Sequence, residues 1–149
     1  MNQKETGMRQ ATMVMRVCGW LFCVVLPLSA IIYPPGVLWG EHPAHFPHIG
    51  PAHPESYLEG LHPYVFMLVA MYVALGILLL RGARDPIGNK ALFDYTILAN
   101  LLHGAVMIPQ AFYYPNEHAH LWTDIPFAFA TVVACWYWHP NRILRRANQ

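Results

Sequence analysis

The sequence predicts an all-α protein, a bundle of four transmembrane helices, on three observations. Hydrophobic residues make up 56% of the chain and charged residues only 11%, against about a quarter charged in a typical soluble domain. Four apolar runs of helical length are separated by turn and loop signals. All nine Lys and Arg fall in three clusters that one topology brings to the same side: Lys4, Arg9 and Arg16; Arg81, Arg84 and Lys90; Arg142, Arg145 and Arg146. The positive-inside rule makes that side cytoplasmic, so both termini are expected there.

The first span is read over about 17–33, a charge-free run that ends at Pro34-Pro35. Leu28-Ser29-Ala30 is a poor cleavage site, so the segment is expected to stay as a helix rather than be removed as a signal peptide. Pro27 is expected to kink it and free the carbonyl of Cys23. Residues 34–62 are read as a long extracytoplasmic loop, rich in Pro and His and free of Lys and Arg. The second span runs over about 63–80, with His62 at the cap and Pro63 at the first helical position, where a missing donor is harmless. Asp85-Pro86 and Gly88 signal a tight turn, which makes the second and third helices an antiparallel pair.

The third span is read over about 91–113. Pro109 removes its own donor there and frees the carbonyl of Ala105. A short loop with His118 and His120 leads to the fourth span, about 122–139, capped by Thr123 or Asp124 and stopped by Pro140. At ~1.5 Å per residue, runs of this length cross a hydrocarbon layer of ~30 Å. Residues 1–149 are read as a single membrane domain.

A formal charge of +1 provides no field for nucleic acid. Cys18, Cys23 and Cys135 sit inside apolar runs without a CxxC pair, and their expected role is packing. No nucleophile-base pair, phosphate-binding Gly loop or dithiol pattern supports an enzyme. The partners expected are the lipid bilayer of a bacterial inner membrane and either membrane-protein subunits or further copies of the chain.

Candidate site residues fall into three groups. Thr96, Asn100, His103, Met107 and Gln110 recur at i, i+4, i+7, i+11 and i+14, a polar stripe on one face of the third helix. Hydrocarbon cannot hydrogen-bond an amide or imidazole, so this stripe is expected to face other helices or a wet cavity. One reading makes His103, near mid-membrane, a neutral ring hydrogen-bonded to Asn100, Thr96 or another helix. The other makes it a contact to a ligand or quinone-like head group. Haem is disfavoured, because a second histidine at that depth is missing. Asp124, Ala128, Thr131, Cys135 and Trp138 form a weaker stripe on the fourth helix. Ala70 with Ala74, and Ala130 with Ala134, are small-residue pairs suited to helix packing.

The second group is a metal-ligand inventory on the outer side: Glu59, His62, His118, His120 and Asp124, donors that suit zinc, copper or iron. His118 and His120 point the same way in an extended segment. The third group is Trp39, Phe46, Ile49 and Tyr57, aromatic and aliphatic anchors that a Pro-rich loop must bury against a partner.

The words Met71-Tyr72-Val73-Ala74-Leu75-Gly76-Ile77-Leu78-Leu79, Ala83-Arg84-Asp85-Pro86 with Asn89, and His103-Gly104-Ala105-Val106-Met107 with Gln110-Ala111 carry a resemblance. The stretch 62–111 resembles a family of small, functionally uncharacterised bacterial membrane proteins, one of the domain-of-unknown-function families. The resemblance implies a four-helix membrane architecture and no activity; the long Pro- and His-rich loop departs from it. The function expected is a non-catalytic accessory subunit that docks through this loop. The alternatives are a small metal- or cofactor-binding redox or transport protein and a binder of a lipophilic small molecule between helices.

Overall fold

The computed structural model describes residues 3–32, 62–113, 118 and 120–148, with side chains outside 30–32 and 62–65. The loop anchors Trp39, Phe46, Ile49 and Tyr57, and Glu59 of the metal inventory, lie outside the described residues. Among those described, every regular element is helical, and turns join them. The elements are α1 (Gln3–Trp20), a π-helical stretch Leu21–Val25, α2 (Leu26–Ile32), α3 (His62–Gly82), α4 (Lys90–Tyr113), α5 (Asp124–Tyr137) and α6 (Pro140–Ala147).

Two helices are long and apolar enough to cross a membrane: Gln3–Ser29 and Lys90–Tyr113. Phe66–Gly82 is apolar but shorter by the same test. The fourth expected span holds a helix shorter than the run of residues read for it. Its helix, α5, has 14 residues, about 21 Å at ~1.5 Å per residue, less than a ~30 Å layer.

The first helix also departs from expectation. It begins at Gln3 rather than Val17, because Ala11, Met15, Cys18 and Phe22 form one continuous buried face across the basic residues. Pro27 acts through the π stretch just before it, where the Leu26 N–H bonds to the Leu21 carbonyl, five residues back. A wider turn of this kind rearranges the hydrogen bonding next to a proline without ending the helix. Pro140 does not end the helical chain either; it opens α6. His139 sits at the N-cap of α6 and its Nδ1 accepts from the Asn141 N–H at 3.2 Å, while Pro140 occupies the first turn, where no donor is needed.

The tight turn forms as expected. Asp85 organises it, its carboxylate accepting from the Gly88 N–H at 3.0 Å and its carbonyl from the Asn89 side chain at 2.9 Å. Yet α3 and α4, which this turn joins, touch little. The extensive contacts are α4 with α5 and α1 with α3, so the bundle is two helix pairs set side by side.

The α1–α3 pair crosses at two glycines. A Cβ on Gly76 would stand 2.8 Å from the Gly19 carbonyl oxygen, and one on Gly19 would stand 2.9 Å from that of Gly76. Backbones this close leave no room for a side chain. The alanine pairs singled out above do not serve this purpose: Ala70, Ala74 and Ala130 are exposed. The core runs from this crossing toward the basic end through Met15, Cys18, Leu79, Ala83, Phe93, Cys135 and Ile143. Cys18 and Cys135 meet there thiol to thiol, in keeping with their packing role. α6 lies along α1, with Ile143 against Gly7. Arg142 and Arg146 stack over Trp136 and Tyr137 at 3.4 and 4.3 Å, within the range of cation–π attraction.

Candidate functional site

Where the two helix pairs diverge, toward the end away from the basic clusters, they leave a cavity of about 170 Å³. Its polar lining comes from α4 and the segment entering α5: Asn100, His103, Gln110, His120 and Asp124. Its apolar lining comes from all four rods and includes Phe22, Leu26, Val69, Tyr72, Met107, Phe127 and Ala128.

The polar stripe of α4 divides in two. Its deeper part is satisfied within the helix. The Thr96 hydroxyl donates to the Leu92 carbonyl at 2.6 Å and the Asn100 amide donates to the Thr96 carbonyl at 2.9 Å. Both side chains are fully enclosed, and such back-bonding is how a buried helix carries a hydroxyl or amide without a partner helix. The other part, His103, Met107 and Gln110, is half-buried and faces the cavity. The His103 ring stands edge-on to Tyr72, centroids 6.1 Å apart. The stripe on α5 is buried at Ala128, Thr131 and Cys135, and Thr131 repeats the internal solution by donating to the Phe127 carbonyl at 3.0 Å.

Of the metal inventory, the structure brings together His120 and Asp124, whose Nδ1 and Oδ2 lie 2.5 Å apart. Asp124 occupies the first turn of α5, where a carboxylate also faces the positive end of the helix dipole. His118 is exposed, and His62 is described by its backbone alone. Among the described residues no three His, Cys, Asp or Glu side chains converge as a metal site would require.

The cavity is not sealed. Among the described residues its lining includes Leu68 of α3, Val106 of α4 and Phe127 of α5, which are exposed as well. The short turn at Asp85 holds α3 and α4 together at one end only.

Sequence reasoning named Asn100, His103, Met107, Gln110, His120 and Asp124 but missed the opposite wall. Tyr72 had a visible signal, since its hydroxyl is alone in the apolar run Phe66–Leu80. Phe22, Leu26 and Phe127 had none, because an apolar residue in an apolar helix looks the same whether it faces lipid, core or cavity.

A family model described as a family of unknown function (DUF6632) matches residues 6–136. No curated protein and no solved structure matches the chain.

Proposed function

The chain belongs to the DUF6632 family, which carries no assigned activity, and from that premise we propose that it is a multi-pass inner-membrane protein that binds a lipophilic small molecule in the cavity between its two helix pairs. The observation that carries this reading is the cavity itself, with apolar walls and a few convergent polar groups, the usual make-up of a small-molecule site; its mouth is proposed to lie at the exposed lining residues Leu68 and Val106, on the side toward lipid.

The membrane reading has separate support. Only 28% and 22% of the residues in the two long apolar windows are buried, whereas the core helix of a soluble protein would be mostly enclosed. Met13, Met67, Met71, Leu98, Leu102 and Val133 cover the exterior with apolar surface, far more than isolated exposed residues on a soluble protein. The four-span topology keeps both termini and Arg84 cytoplasmic and His118 on the other side. Short as α5 is, the adjoining turn and local bilayer thinning accommodate it at modest cost. Cysteine labelling of variants at 84 and 118 should show opposite accessibility; labelling of both from one side overturns the topology.

The binding reading is tested by purifying the protein in mild detergent and analysing the organic extract by mass spectrometry. One lipophilic compound in near-stoichiometric amount is expected from the wild type. It should be lost from Leu68→Trp with Val106→Trp, which fills the mouth. A wild type that retains nothing above the lipid background, and takes up no added lipophile, overturns the reading.

The accessory-subunit reading has one observation in its favour. Phe112, Tyr113 and Trp122 are strongly exposed at the end of the bundle next to both loops, Trp122 at 85%, and exposed aromatics of this kind anchor interfaces. If Trp39 and Phe46 dock on a partner, Trp39→Ala with Phe46→Ala should release the chain from its assembly with the bundle intact. A wild type that purifies as a monomer removes this reading.

A further inference from the structure

The polar lining of the cavity is sorted by height, and this deepens the proposed binding function by naming the chemical class of its ligand. Gly104 of α4 packs against Phe129 of α5, which sets the register of the two antiparallel helices. Six residues beyond Gly104 is Gln110, and five residues before Phe129 is Asp124. At ~1.5 Å per residue these lie at nearly one level, ~7.5–9 Å from the contact. Gln110 and the His120–Asp124 pair therefore form one polar tier. His103, next to Gly104, forms the other.

Seven residues separate His103 from Gln110, a rise of about 10.5 Å. Two hydrogen bonds of ~2.9 Å and the ~5 Å between oxygens on opposite corners of a six-membered ring add to about 11 Å. Between the tiers the walls are the rings of Phe22, Tyr72 and Phe127 and the Met107 thioether, a soft surface suited to an aromatic edge. The volume, about 170 Å³, is close to the ~150 Å³ that takes up one benzene ring in an engineered apolar cavity.

Charge narrows the class further. Among the described residues that line the cavity there is no Lys or Arg, and the carboxylate of Asp124 is already paired with His120. An anionic head group has no permanent cation to meet, and an amine would compete with the histidine for the acid. His and Gln side chains each donate or accept according to tautomer or rotamer, so they suit a carbonyl or a hydroxyl equally. We propose that the ligand is a neutral single-ring head group with oxygens at opposite ends, a para-quinone or hydroquinone, held between His103 and Gln110 with its hydrophobic tail leaving between Leu68 and Val106.

The inference rests on the cavity being a binding site, and the test separates the two. The probes are decyl-1,4-benzoquinone and decylbenzene, equal in chain and ring and different only in the oxygens, equilibrated with the full chain in detergent and quantified by equilibrium dialysis. Two hydrogen bonds of ordinary net strength predict about a 30-fold preference for the quinone, about fivefold of it lost in either His103→Leu or Gln110→Leu. Equal binding of the two probes overturns the ligand class and leaves a lipophile site standing. Binding of neither overturns both. Since the wild type compared with itself decides the class, a variant that fails to fold does not remove the test.

Discussion

The two ends of this bundle are built by opposite rules. At the basic end the helices meet closely, backbone against backbone at Gly19 and Gly76, and the core below them is filled with fully buried side chains such as Met15, Leu79 and Phe93. At the other end the same helices carry Phe22, Tyr72 and Phe127 opposite His103 and Gln110, and a void remains. Interiors pack to crystal-like density when apolar shapes interlock. A polar side chain that must keep a partner cannot simply turn to fill a gap, so rings and amides facing each other leave space. Close packing therefore belongs to one end and a polar-lined space to the other, and if the proposed site binds its ligand there, substitutions should separate stability from binding.

The largest effect is expected at the crossing. Gly76→Leu forces a side chain into a Gly19 backbone that cannot yield, and should cost about 3 kcal/mol or more, the upper range for overpacking. Its unfolding in mixed detergent should shift accordingly and ligand binding should go with it. A variant within 0.5 kcal/mol of wild type, as an estimate from the usual scale of surface changes, would break the contrast between the ends.

Next is the contact that docks the C-terminal helix. Ile143→Ala removes a buried side chain from Gly7 and should cost about 2 kcal/mol, the low end for such truncations, because the site lies at the periphery of the core. Proteolysis should then reach α6 first while the cavity still binds. If binding falls in step with stability, the ends are not independent.

A smaller effect belongs to the cavity itself. His103→Gln should be milder than His103→Leu by about 0.6 to 2 kcal/mol, the range for polar contacts within membranes, since an amide can still serve a partner. Equal loss for both, together with release of the bound compound, would show that the imidazole acts on the ligand rather than on the fold.

The smallest effect on the fold is expected from Leu68→Trp at the mouth. Its stability should stay within about 0.5 kcal/mol of wild type, while retention of the lipophile falls. An unaltered ligand content would place the entrance elsewhere and sharpen where the two helix pairs part.

The helical class and the extent of α3 and α4 were legible because both are long apolar runs and the turn between them needs special residues. Asp85-Pro86 and Gly88 marked the turn, and the period of Thr96, Asn100 and His103 marked the inward face of α4. Local chemistry of this kind acts within a few residues, so it can be read along the chain. The start of α1 and the presence of α6 were not legible, because Lys4, Arg9 and Pro140 look like terminators until Ala11, Met15 and Ile143 are seen packed against one another. Pairing was less legible still. A short turn suggested that α3 belongs with α4, yet α3 follows α1, because Gly19 and Gly76 allow their backbones to touch and no feature within one helix records what a distant helix will offer. The site shared this division. Its polar residues announced themselves by being costly in an apolar helix, whereas the decision that Phe22, Tyr72 and Phe127 should stand opposite them, leaving a space between, came only when two separately packed pairs were joined.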